Sequence, residues 1–261
     1  MNSIAVIPAR MAASRFPNKP LKSILGIPML AHCYYRAAIA LGVENVYVAT
    51  CDKEIADFIK GIGGKAIMTS VNHNRATTRT SEAVSIIEST QNINIDIVIM
   101  IQGDEPLILP KTLKNILFPF QEKSINIVNI VSKFGDEDSF LDKNNVKVVV
   151  DKDFNALYFS REPIPSPWKG INLDLCFMQT GIIAFRRDTL IDFNLKSETN
   201  LEKIESIDMN RVLEYGGKIR MVLAENITVG VDVPNDIDKV EKYFSSDKVI
   251  ELYSSNYREI N

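Results

Sequence analysis

Apolar runs of strand length alternate along this chain with stretches whose apolar residues recur at helical spacing. Residues 4–7 are a first run, 29–41 a helical pattern, 46–50 a second run, 53–62 a second helix and 65–68 a further short strand. This alternation predicts right-handed βαβ units and a mostly parallel sheet covered on both faces, an α/β fold. Such sheets bind ligands beyond the carboxyl ends of their strands, which directs attention to the loops after residue 7, at 49–52 and at 102–106.

Residues 69–80 are polar and contain His73, Arg75 and Arg79, and a helix is predicted over 81–90 with Thr80 or Ser81 as its cap. The run 95–101 reads as the clearest central strand, followed by a helix at 111–121 and a strand at 125–131. The pattern then changes. Residues 146–150 and 156–159 read as an antiparallel pair, and the proline-rich stretch 162–167 interrupts, as in an excursion from the main sheet. A strand at 181–185, helices at 188–193 and 204–215, and a strand at 220–224 come next. The last helix is capped by Asp236 and runs to about Phe244. One domain over 1–245 is expected, with the excursion at about 150–215 and a polar, accessory tail at 246–261.

Composition narrows the function classes. The 261 residues suffice for a full core, and 46% hydrophobic with 24% charged residues describes an ordinary globular protein. A net charge of −3 leaves no basic excess for nucleic acid, so any anion site is local. Cys33, Cys51 and Cys176 form no Cys-x-x-Cys, which argues against a disulfide framework or structural zinc and fits a reducing cytoplasm. No leader pattern opens the chain, and no run approaches the roughly 18 apolar residues of a membrane span.

Two stretches carry chemistry. After the run 4–7 stop three cations, Arg10, Arg15 and Lys19, among the small residues Ala9, Ala12, Ala13 and Ser14. Small residues let backbone N–H groups approach an anion that the cations neutralise, although a solvated strand-to-helix loop would show the same residues. The run 95–101 ends in Gln102-Gly103-Asp104-Glu105-Pro106, where a carboxylate at a tight turn suits a metal–phosphate site.

With these motifs in view the chain resembles the sugar-acid cytidylyltransferases, most closely the 3-deoxy-manno-octulosonate (Kdo) cytidylyltransferase family. The resemblance rests on Ile7-Pro8-Ala9-Arg10, Ser14-Arg15-Phe16-Pro17-x-Lys19-Pro20-Leu21, Gln102 to Pro106, Val146-Lys147-Val148-Val149, Tyr158-Phe159-Ser160-Arg161, Glu202-x-x-Glu205 and Gly230-Val231-Asp232-x-Pro234. It implies a Rossmann-like nucleotidyltransferase fold, a mixed but mostly parallel sheet and a homodimer made through the excursion. The implied reaction takes CTP and a 2-keto-3-deoxy sugar acid to a CMP-sugar and pyrophosphate, for cell-surface polysaccharide or lipopolysaccharide synthesis. By the same resemblance Asp104 and Asp232 hold Mg²⁺, and Lys19 joins them as catalytic. Pro8, Ala9, Arg10, Arg15, Lys19, His73, Arg75, Thr77 and Arg79 bind the nucleotide. Gln102, Arg161, Gln179, Ile183, Asp208 and Met209 bind the sugar. On residue type alone, an Asp placed like Asp232 before Pro234 is more often a cap or turn former, and Arg161 beside Glu162 is equally a surface pair.

The departures lie in ligand-facing motifs. The family's His-x-Ser-Gly-Thr-Asp/Glu-Arg reads here His73-Asn74-Arg75-Ala76-Thr77-Thr78-Arg79. Ala76 costs about 1 kcal/mol if that position needs positive φ. Arg75 either adds a phosphate contact or blocks the base pocket. Gln179 and Ile183 stand where the family has His and Tyr, and Asp208-Met209-Asn210-Arg211 where it has Glu-Gln-Leu-Arg. These changes alter the donors and acceptors offered to sugar hydroxyls, which suggests a related acid such as an 8-amino Kdo. A cytidylyltransferase for a nonulosonate, or a catalytically silent nucleotide-binding paralogue, remains open.

Overall fold

The computed structural model describes residues 1–12 and 16–260. Its centre is a nine-stranded mixed sheet with the path β11-β7-β10-β6-β1-β4-β5, from which β8 and β9 branch. β1 (Ser3–Pro8), β4 (Val46–Thr50), β5 (Lys65–Met68) and β6 (Ile97–Ile101) are parallel, the predicted βαβ half. All five residues of β6 are buried, as a strand covered on both faces requires. β2 (Ser23–Ile24) and β3 (Ile27–Pro28) form a separate two-stranded ribbon that leads into α1 (Met29–Leu41).

Helices cover both faces. On one, α1 packs with α4 (Pro110–Asn115) over Ile7, Ile99 and Ile182. On the other, α3 (Ala76–Gln91), α6 (Arg187–Leu195) and α8 (Met209–Glu214) cover Val6, Val98 and Ile183. α2 (Lys53–Gly61) lies on the α1 face against β4 and β5, with Ile55 and Ile59 in the same core as Ile7. Each such fully buried aliphatic side chain contributes about 1.5–3 kcal/mol. Among the described residues no helix is long and apolar enough to cross a membrane.

The second half inverts one strand. β10 (Phe177–Arg186) runs antiparallel between β6 and β7 (Ile127–Lys133), and β11 (Arg220–Leu223) pairs parallel with β7. The hairpin of β8 (Lys147–Val150) and β9 (Ala156–Ser160) is antiparallel as predicted. β8 also bonds to the start of β10, so this stretch branches from the main sheet rather than standing clear of it.

Several elements differ from the sequence reading. α3 begins at Ala76 rather than 81, so Thr77 and Arg79 sit in its first turn. The predicted helix 111–121 is α4 followed by a 3-10 turn at Phe118–Gln121. The predicted helix 204–215 is two, α7 (Asn200–Glu205) and α8, broken at Ser206 with φ 55°. α5 (Glu137–Leu141) was not foreseen, and its cap is Asp136 accepting from the Ser139 amide.

Asp236 lies inside α9 (Asn235–Phe244) and folds back to accept the amides of Asp232 and Val233 at 2.9 and 3.0 Å. The tail is not merely accessory. It forms α10 (Glu251–Ile260), whose Tyr253 is buried against α1.

Candidate functional site

A cavity of about 520 Å³ opens beyond the carboxyl ends of β1 and β6. It gathers Pro8, Ala9, Arg10, Lys19, His73, Arg75, Arg79, Gln102, Asp104 and Asp232, ten of the predicted site residues from four separate stretches of the chain. Arg15 lies outside the described residues.

At the centre the Lys19 ammonium donates to Asp104 Oδ2 at 2.6 Å and to the Val231 carbonyl at 2.7 Å, with Asp232 Oδ1 at 3.8 Å. Backbone brings the two acidic loops together, because the Val231 amide donates to the Asp104 carbonyl at 3.0 Å. Each loop also inserts an apolar anchor into one small core. Phe16 comes from the loop of Lys19, Leu107 from that of Asp104, and Val231 precedes Asp232; they meet Ile24, Met29, Val240 and Phe244.

Glu105, next to Asp104, turns inward and accepts the Gly181 amide at 2.6 Å. Burial, reinforced by the Asp104 charge, pushes its carboxyl up to about 8. A Cβ on Gly181 would come within 2.8 Å of Gln102, so a glycine is required for Gln102 to pack across β10.

The wall from 69 to 82 is held by its own charges. Arg79, almost fully buried, donates to Thr69 Oγ1 at 2.6 Å and reaches the carbonyls of Ser70 and His73. His73 Nε2 pairs with Glu82. Burial pushes the Glu82 carboxyl up, but the Ser70 amide and His73 outweigh it and leave it below the usual range. Ala76 opens α3 without the left-handed φ that would strain it. Arg75 turns to Glu198, with Nη2 to Oε1 at 2.7 Å, and to the buried Glu202 at 3.2 Å. Glu202 is itself gripped on both oxygens by Arg211. Thr77 is buried and faces Asp208 at 3.3 Å. The departures at Arg75 and Asp208, distant in sequence, therefore meet in one structural cluster through Thr77 and Glu202.

The predicted sugar contacts fare differently from the phosphate and metal positions. Ile183 and Met209 are sealed in the core under α3 and α6, so their side chains do not reach the cavity. Arg161 directs its guanidinium to the carbonyls of Glu205, Ser206 and Lys143. Gln179 donates to Asn129 Oδ1 at 2.8 Å. Burial raises the Asp208 carboxyl, with Arg75 and Thr77 opposing. Glu205 likewise holds Tyr158, Ser160 and the Arg161 amide, so the Glu202-x-x-Glu205 motif serves as an anchor between α7, α8 and β9. Of the sugar set, Gln102 alone lines the cavity.

Sequence reasoning missed Asp52, whose Oδ2 accepts the Met11 amide at 2.8 Å and so fixes the loop after β1. The only signal was its place after the second strand. It also gave Glu105 and the anchors Phe16, Leu107 and Val231 no role.

A family model described as cytidylyltransferase matches residues 4–220. The 3-deoxy-manno-octulosonate cytidylyltransferase of Geobacter metallireducens is 38% identical over 256 residues, covering 94% of this chain and 98% of that protein. The chain belongs to the 3-deoxy-manno-octulosonate cytidylyltransferase family. The family member of Geobacter sulfurreducens is 39% identical over 251 residues, covering 92% and 98% of the two chains. Among solved structures, a CMP:2-keto-3-deoxy-manno-octonic acid synthetase complexed with CTP is similar at TM-score 0.81 and 34% identity, covering 94% of this chain and 99% of that one. The inositol-1-phosphate CTP transferase from T. maritima, at 18% identity and TM-score 0.65 with 96% and 97% covered, shares the fold. Membership in the Kdo cytidylyltransferase family thus agrees with the resemblance read from the motifs.

Proposed function

We propose that this chain transfers CMP from CTP to the anomeric hydroxyl of a 2-keto-3-deoxy sugar acid, Kdo or a close relative such as an 8-amino Kdo, releasing pyrophosphate for cell-surface polysaccharide or lipopolysaccharide synthesis. The observation that carries the reading is the convergence of Lys19, Asp104 and Asp232 on one wall of a cavity whose other walls bear Arg10, Arg75 and Arg79.

The donor set suits Mg²⁺. Two carboxylates converge on a single cation, here the Lys19 ammonium, and among the described residues no group of three or more His, Cys, Asp or Glu side chains could hold a metal. Mg²⁺ typically takes one or two carboxylates and completes its shell with phosphate oxygens and water. Asp104 and Asp232 would hold it, and when bound it would neutralise phosphate charge and acidify the attacking hydroxyl.

The chain's own residues do the rest. Arg10 and Lys19 neutralise the triphosphate from the β1 side, and Pro8 and Ala9 let it approach the backbone closely. Gln102 offers an amide to the acceptor at the end of β6. Holding the hydroxyl in line with the α-phosphorus contributes as much as charge, because positioning converts a bimolecular step into a unimolecular one. Arg75 is already balanced by Glu198 and Glu202. It therefore acts as a hydrogen-bond donor to the nucleotide rather than as a further phosphate charge.

The same reading includes a homodimer and a cytoplasmic setting. Leu157, Trp168, Leu175 and Ile204 are exposed in the middle section, an apolar set suited to a second copy. The described cysteines are all free, which fits a reducing compartment. The test is pyrophosphate release with Kdo and each of CTP, UTP, ATP and GTP. Turnover with CTP alone supports the assignment; turnover with another nucleotide, or CTP binding without turnover across sugar acids, counts against it.

A further inference from the structure

The small apolar core beneath Lys19, Asp104 and Asp232 rests on a buried polar cluster supplied by the C-terminal segment. Tyr253 of α10 is 2% exposed, and its hydroxyl lies 2.7 Å from His32 Nδ1 and 3.3 Å from Arg36 Nε. His32 Nε2 stands 3.0 Å from the Ile24 carbonyl. A carbonyl only accepts, so Nε2 carries the proton and Nδ1 accepts from the tyrosine O–H, whose oxygen in turn accepts from Arg36. Arg36 has no exposed surface. It donates through Nη1 to the Ile108 carbonyl at 3.2 Å and pairs through Nη2 with Asp247. Phe244 of α9 closes the cluster, with its ring centroid 4.7 Å from that of His32 and 5.0 Å from the Arg36 guanidinium.

The two carbonyls held here belong to the site's own loops. Ile24 lies in β2, directly after the turn Lys19–Leu21, and is a member of the same small core as Phe16 and Val231. Ile108 follows Leu107, the anchor of the Asp104 loop. One tyrosine hydroxyl therefore orients two buried side chains, and each of these pins a loop that carries a charged site residue. Packing alone would seat α10 on α1. The hydroxyl adds direction, which a phenyl ring cannot supply.

We infer that Tyr253 is a positioning residue for the Lys19–Asp104–Asp232 centre, acting through His32 and Arg36. The kinetic part of its test rests on the proposed transferase reading, whereas the exchange part does not.

The test compares full-length Tyr253→Phe with wild type and with Leu252→Ala, a change at an exposed position of the same helix. Backbone amide exchange is followed at Val231, which bonds Asp104, and at Met29, which bonds Lys22. In Tyr253→Phe both amides exchange about tenfold faster, and kcat falls about tenfold while KM for CTP stays within about twofold. Leu252→Ala changes neither. Should Tyr253→Phe fail to fold, Asp247→Asn, which loosens Arg36 from the tail with Tyr253 in place, is read in the same way. Unchanged exchange at Val231 and Met29 overturns the inference whatever kcat does. Faster exchange there without any measurable turnover in wild type upholds it and removes the transferase reading instead.

Discussion

The amide of Val231 donates to the carbonyl of Asp104 at 3.0 Å, so the two acidic loops are joined by backbone as well as through the Lys19 ammonium between their carboxylates. The Lys19 ammonium then closes the same junction by donating to the Val231 carbonyl at 2.7 Å. The backbone part of this junction is untouched by substitution at Asp104 or Asp232.

Asp104→Asn should therefore separate chemistry from folding. The amide still accepts from Lys19, and the loss of charge costs about 2 kcal/mol or less in stability, a shift of a few degrees in Tm. Pyrophosphate release should fall by at least about 100-fold, since one of the two carboxylates that would hold the charge-neutralising Mg²⁺ loses its charge. Unchanged turnover would mean that Asp104 is not at the reacting centre.

Arg75 and Arg211 share Glu202 but should respond in opposite ways. Arg75→Ser breaks a solvent-screened pair with Glu198 that adds little to stability, while Glu202 keeps both bonds to Arg211. Its stability should stay near wild type while KM for CTP shifts at least about threefold. Arg211→Ala strips a fully buried carboxylate of its bidentate partner and should cost about 3 kcal/mol in urea unfolding. Equal losses in the two variants would contradict this division.

His32 makes stability depend on pH. Burial, with Arg36 adding to it, lowers its imidazole from 6.5 to about 4. The unfolded chain thus takes up a proton before the folded one does. The stability tied to neutral His32 is fully present above about 6.5 and is lost as pH falls toward 4, up to about 3 kcal/mol. Urea unfolding of wild type and His32→Gln at pH 7.0, 5.5 and 4.5 isolates it. The stability of wild type relative to the variant should drop over that range; a constant difference would show that His32 does not titrate with folding.

The βαβ half was legible because its strands are continuous apolar runs, and the family motifs placed Lys19, Asp104 and Asp232 in one cavity. Less legible was whatever depends on which face a residue takes. The resemblance gave Ile183 and Met209 as sugar contacts, yet the register of β10 and the start of α8 turn them into the core. α3 begins early through Ala76-Thr77-Thr78, residues that give no apolar periodicity and no capping hydroxyl at Arg75. The tail looked polar because Tyr253 is the one fully buried side chain among those described in α10, and its contribution lies in one hydroxyl whose partners, His32 and Arg36, are remote in sequence.

The most direct test of the whole account is pyrophosphate release from CTP, in the presence of Mg²⁺, against Kdo, its 8-amino analogue and several nonulosonates. The account predicts turnover with Kdo or its amino analogue, and its loss in Asp104→Asn. Turnover with a nonulosonate alone, or CTP binding with silence across every acid, would contradict it.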